Sequence, residues 1–126
     1  MTTTTFITPH FKWSEALHTD TGLPNLPTDY AMANLVNTFR ILERVRVFCN
    51  FPLIISSGFR TNEVHLEIYR RQKKTPPKHS YHLEGRAVDI SINKLDERQF
   101  NKLYNNLLTW NPVEIYYTKS FIHVAF

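Results

Sequence analysis

A chain of 126 residues can build one hydrophobic core but not two independent ones. Its 42% hydrophobic and 13% aromatic content excludes a disordered chain, and no apolar run approaches the roughly 20 residues a bilayer span needs. The single cysteine, Cys49, excludes both an internal disulfide and a thiolate zinc cluster, so any metal site has to be built from His, Asp or Glu.

The opening "MTTTTFITPHFKW" lacks a cationic stretch followed by an apolar one, the pattern of a secretory leader. The expectation is a soluble monomer, cytoplasmic as synthesised and without a membrane span. It is read as one domain over residues 1–126 with a flexible lead over residues 1–10, and it shows no internal repeat. "FKWSEAL" predicts a short helical turn with Ser14 as its cap, followed by the punctuated connection "TGLPNLP". From Thr28, Met32, Leu35, Val36, Phe39, Leu42 and Val45 recur at the three-and-four spacing of an amphipathic helix. "FPLIISS" (51–57) is a strand candidate ended by Gly58, and "TNEVHLEIYRR" a helix capped by Thr61 or Asn62.

The excess of 15 basic over 11 acidic residues, net +4, is locally concentrated in "RRQKKTPPK", Arg70 to Lys78. Pro76, Pro77 and the lack of an aromatic residue to stack on bases read as a solvated, mobile loop. A nucleic-acid surface is disfavoured on the same grounds, and attraction to a polyanionic substrate such as a cell wall is the third reading. "RAVDISI" then alternates as a strand, "LDERQFNKLYNNLLTW" is an amphipathic helix opening on Asp96, and "VEIYYTKSFIHVAF" reads as strand, tight turn at Thr118 to Ser120, and strand. This order predicts an α+β domain with a mainly antiparallel sheet and flanking helices.

One stretch stands apart from fold-building sequence. In "SYHLEGRAVDI", Asp89 lies between Val88 and Ile90, so on a strand it faces away from both, and an unpaired buried charge costs several kcal/mol. His82 precedes this strand, Gly85 and Ala87 permit close backbone approach, and His123 sits in the last strand. Two histidines and a carboxylate form a three-donor set of the kind that holds catalytic zinc, with the fourth position open to water. The ordinary alternatives are a hydrogen-bonded core histidine at His123 and an ion pair between Asp89 and Arg86 or Arg60. His10, His18 and His65 read as structural or surface residues.

Ser80, His82, Gly85, Ala87 and Asp89 match every fixed position of S-x-H-x-x-G-x-A-x-D. This pattern resembles the zinc D-alanyl-D-alanine carboxypeptidase family, which includes VanX-type dipeptidases and phage endolysin endopeptidases. "SSGFRT" resembles the family's S-G-Y-R-S segment, "FIHVAF" its terminal x-H-V-S-Y strand, and "FKWSEALHTDTGLPNLP" the lead-in of its small phage-type members, so the resemblance runs from about Phe11 to Phe126. It implies a hedgehog-like α+β fold, zinc held by His82, Asp89 and His123, and hydrolysis of a peptide bond in peptidoglycan stem peptides. It also implies that Arg60 binds substrate, with Ser80 positioning substrate or the metal loop, and that the enzyme acts on cell wall after phage-type release. A guanidinium suits the substrate role because its planar donors match a carboxylate or a developing oxyanion.

The chain departs from the family at the general base. Many active members carry an acid three positions before the last histidine or another histidine two before it, and here those positions are Ser120 and Phe121. Glu114, on the preceding strand, ranks first as the catalytic acid–base residue, ahead of His79 and Glu84. The alternative function is a catalytically silent, zinc-containing wall-binding module. The Asn and the Gly-rich stretch that the family's loop carries between the arginine and the metal motif are replaced by His65 and the basic run.

Overall fold

A computed structural model describes residues 5–126. Within the lead segment, strand β1 (Phe6–Thr8) pairs antiparallel with β2 (Phe11–Lys12), while residues 1–4 lie outside the described residues. Helix α1 (Trp13–Leu17) follows directly. Its N-cap is Lys12 rather than the expected Ser14: the Glu15 carboxylate accepts the Lys12 N–H at 2.7 Å, satisfying a donor the helix leaves unpaired.

Helix α2 (Asp29–Cys49) is capped by Thr28, whose hydroxyl accepts from Ala31 N–H at 3.2 Å, and ends on Asn50 in the left-handed region (φ 59°). Its buried stripe is Ala31, Leu35, Thr38, Phe39, Leu42, Val45 and Cys49. Met32 is exposed and Val36 half-buried, so the expected face is rotated to the side on which Ala31 and Thr38 sit. Strand β3 begins only at Ile54 (Ile54–Ser57), beyond Pro52, which has no N–H for a ladder. Helix α3 (Asn62–Arg71) takes Thr61 as its cap, a 3₁₀ turn spans Tyr81–Glu84, and strand β4 covers Ala87–Ser91. Helix α4 (Glu97–Leu108) opens on Asp96 with a reciprocal capping box to Gln99, and strands β5 (Glu114–Tyr117) and β6 (Phe121–Ala125) complete the chain. Their turn is the expected one: Thr118 N–H donates to Phe121 O at 2.9 Å, and the Thr118 hydroxyl accepts from Ser120 and Phe121.

The main sheet is four-stranded and antiparallel throughout, in the order β3-β4-β6-β5, and with the β1-β2 hairpin makes the α+β fold. Register assigns each face its job. Val88 pairs with Val124 and Ile90 with Ile122, and these four are fully buried in one core with Leu35, Phe39 and Leu42 of α2 and Leu103 and Leu107 of α4. Each such side chain contributes about 1.5–3 kcal/mol relative to exposure. Because successive strand residues point to opposite faces, the same register pairs Asp89 with His123 on the other side of the sheet, with Ser57 opposite Asp89 and Tyr116 opposite His123. Helices α2 and α4 stabilise one face, and the second carries the site, with α3 along its edge.

Candidate metal centre

Asp89 reaches the site because β4 alternates: its neighbours go to the core and it faces a cleft of about 490 Å³ on the opposite face. His82 arrives from the 3₁₀ turn. Ser80 caps that turn, its hydroxyl accepting from His82 N–H at 3.3 Å, and Gly85 closes it at φ +75°. Helix α2 holds the turn from behind, with the Thr38 hydroxyl donating to Gly85 O at 2.9 Å and the Asn34 amide to Glu84 O at 2.9 Å. His123 is delivered by β6 directly opposite Asp89.

One donor atom from each of His82, Asp89 and His123 lies within 4.8 Å of the other two, and all three residues are buried. His82 Nε2 is 3.3 Å and His123 Nδ1 2.9 Å from the same oxygen, Asp89 Oδ1. A tetrahedral ion at about 2.0–2.1 Å from its ligands separates them by roughly 3.3–3.4 Å, close to the two separations from Asp89 Oδ1, so the donor set is of the type and spacing that suits zinc. The outer nitrogens fit as well. His82 Nδ1–H donates to Gly58 O at 2.7 Å, leaving the Nε2 lone pair directed inward, and His123 Nε2–H meets Glu114 Oε1 at 2.8 Å. Ligating histidines are commonly oriented by such a carbonyl and carboxylate.

The electrostatics follow from this crowding. Burial by itself pushes the Asp89 carboxyl up, but hydrogen bonds from His123 and His82 outweigh it and hold the group far below the usual carboxylate range. Burial alone would lower His123, yet carboxylates at both ring nitrogens, Asp89 and Glu114, raise it above its ordinary value. The two carboxylates thus favour the protonated imidazole of His123 over the neutral ring.

Arg60 reaches the same centre. Its Nε donates to Ser57 Oγ at 3.1 Å and its NH2 lies 3.6 Å from Asp89 Oδ2, so one face of Asp89 serves the histidines and the other the guanidinium. The segment carrying it is clamped by Asn25, a nearly buried side chain that donates to Leu17 O and Phe59 O and accepts from Thr61 N–H. Arg60 N–H also donates to His82 O at 3.1 Å, tying the arginine to the metal turn.

Of the other residues singled out in the sequence, Ser80, His79 and Glu114 line the cleft, and Glu84 does not. Glu84 is taken up by His79, Arg86 and Tyr30. Ser120 and Phe121 carry no acid or imidazole to the centre, and Asp89 and Glu114 are the carboxylates of its lining. His65, read as structural, is indeed buried; its Nε2 meets Pro77 O at 3.3 Å. Two contributors had no distinctive signal in the sequence. Asn25 sits in a loop whose punctuation announced only a turn. Tyr116 stacks on His123 with ring centroids 4.6 Å apart, visible only once the hairpin register is known. Among the described residues no helix is long and apolar enough to cross a membrane.

A search of curated proteins returned no match to this chain. The family model described as Peptidase M15, by contrast, matches residues 9–125, a span that includes every element around the cleft and all three metal-ligand candidates. The His-Asp-His cluster, its outer hydrogen bonds and this match agree, and the chain belongs to the peptidase M15 family of zinc metallopeptidases.

Proposed function

We propose that the protein is a zinc-dependent peptidase that cleaves a peptide bond in peptidoglycan stem peptides, as a D-Ala-D-Ala carboxypeptidase or a murein endopeptidase. The observation that carries the reading is the convergence of His82 Nε2 and His123 Nδ1 on Asp89 Oδ1 at 3.3 and 2.9 Å, beside Arg60 and open to the cleft. Zinc, when bound by these three residues, supplies Lewis-acid activation of water and of the scissile carbonyl. Arg60, fixed by Ser57 and Asp89, presents donors to the substrate's carboxylate or to the carbonyl oxygen as it becomes negative. Glu114 fixes the His123 ring through Oε1, and its half-exposed carboxylate would accept at Oε2 the proton given up by the water that attacks the scissile carbonyl. Ser80 keeps the metal turn in place.

The same proposal includes the hedgehog-like arrangement, a monomer that needs no nucleic acid, and a chain that is cytoplasmic as synthesised and meets the wall after phage-type release. A second reading, a catalytically silent wall-binding module, is favoured by one observation: Glu114, the half-exposed acid of the cleft, is already engaged with His123. Digestion of purified sacculi with metal-loaded protein, followed by mass spectrometry of the muropeptides, separates the two. The peptidase releases D-alanine or cleaved crosslinks, whereas the silent module holds stoichiometric zinc and binds sacculi without changing their profile. Retention of both zinc and activity in His82→Ala and Asp89→Asn would overturn the metal assignment.

A further inference from the structure

The basic run reads in sequence as a mobile, solvated loop, but it is anchored at both ends. At its start, Lys73 N–H donates to Arg70 O at 3.1 Å and Lys74 N–H to Tyr69 O at 3.0 Å, the paired bonds of a Schellman cap that closes α3. The cap places Lys73 in the left-handed region (φ 55°), a position that glycine normally fills and that costs a lysine about 1 kcal/mol. At its end, Pro77 O meets Nε2 of the buried His65, which belongs to α3 and packs on Tyr69 at 4.9 Å between ring centroids. Between these anchors Lys74 lines the same cleft as Arg60 and the His-Asp-His cluster. Lys74 makes no ion pair among the described residues, and the cleft's two carboxylates, Asp89 and Glu114, are engaged by Arg60 and the histidines.

We infer that Lys74 forms a second anionic subsite and selects peptides that carry a further carboxylate besides the group held by Arg60. The inference rests on the peptidase reading and narrows its substrate class to acidic peptides. Lys74 is exposed, but its backbone is anchored at the wall of a concave cleft, so its ammonium reaches an anion in the cleft without the cost of ordering the loop first. Lys78, on the same loop and exposed, does not line the cleft and provides an internal control.

The test compares two synthetic peptides, L-Ala-γ-D-Glu-L-Lys-D-Ala-D-Ala and its D-isoglutamine counterpart, which differ only in a carboxylate against a carboxamide. Binding to zinc-loaded protein is measured by calorimetry and cleavage by mass spectrometry. The wild-type protein favours the acid by about twofold to fivefold, the scale of one exposed ion pair. This ratio falls to near unity in Lys74→Ala, returns in Lys74→Arg, and persists in Lys78→Ala. A ratio unchanged by Lys74→Ala, or reduced equally by Lys78→Ala, overturns the subsite and leaves the peptidase standing. Failure of the wild-type protein to bind or cut either peptide overturns the subsite together with the reading beneath it.

Discussion

Gly85 offers a direct test of how the metal turn is built, because replacing it with alanine raises two separable costs. The residue sits at φ +75°, where an L side chain costs about 1–2 kcal/mol. An added Cβ would also lie 2.4 Å from Ala31 O and 3.0 Å from Leu35 Cγ; the first is helix backbone that cannot step aside, and overpacking of this kind costs about 1–3 kcal/mol. The stiffer unfolded chain returns about 0.5 kcal/mol. Gly85→Ala is therefore expected to lose about 1.5–4.5 kcal/mol, a large share of the roughly 5–15 kcal/mol of a domain this size. Gly22 provides the control, since it has φ +77° with nothing within 4 Å of an added Cβ, so Gly22→Ala incurs only the backbone cost. Urea unfolding of the metal-free proteins, followed by far-UV circular dichroism, measures both without the linkage that bound metal adds. Equal losses for the two variants, or a Gly85→Ala loss below about 0.5 kcal/mol, would refute the claim that α2 and the turn meet too closely for a side chain.

Metal binding should release protons and weaken as the pH falls, because Asp89 and Glu114 raise His123 and its inward nitrogen must be deprotonated to ligate; calorimetry in buffers of different ionisation enthalpy counts the protons. Glu114→Gln keeps an acceptor for His123 Nε2–H and should retain zinc while losing turnover, whereas Glu114→Ala should lower zinc affinity about 10–100-fold as well; equal affinities in the two variants would remove the positioning role. His65, pushed down by burial with Nδ1 unpaired among the described residues, binds fewer protons folded than unfolded. Its contribution is complete above the unfolded value of about 6.5 and is lost as the pH falls below it, so wild-type stability should drop from pH 7 to pH 5 more steeply than that of His65→Phe in parallel thermal melts.

Much of this molecule could be read from the chain because local physics fixed it. The Thr61 and Asp96 caps and the Thr118 turn depend on residues within a few positions of one another, and they formed where expected; the α2 helix formed too, with its buried stripe rotated toward Ala31 and Thr38. The β1-β2 pairing was missed because so short a run has no periodicity to measure, and Ser14 failed as a cap because Glu15 turns back to Lys12 instead. The spacing from His82 to Asp89, with His123 in the last strand, offered a three-donor set beside its ordinary alternatives, and the family resemblance is what made these three the expected ligands; the structure brings them together.

What sequence could not determine is what each donor faces. That Asp89 serves two histidines through Oδ1 and Arg60 through Oδ2, that Glu114 sits behind His123, and that Asn25 clamps the arginine all depend on strand register and loop packing, which join residues as far as 36 positions apart. The basic run is the clearest case. Its composition determined that the loop is charged and unable to stack on bases, while only the Schellman cap and the His65 contact decided that the loop backbone is anchored with Lys74 along the cleft. Residue type sets which interactions a side chain can make, and the packed chain sets which partner is close enough to make them with.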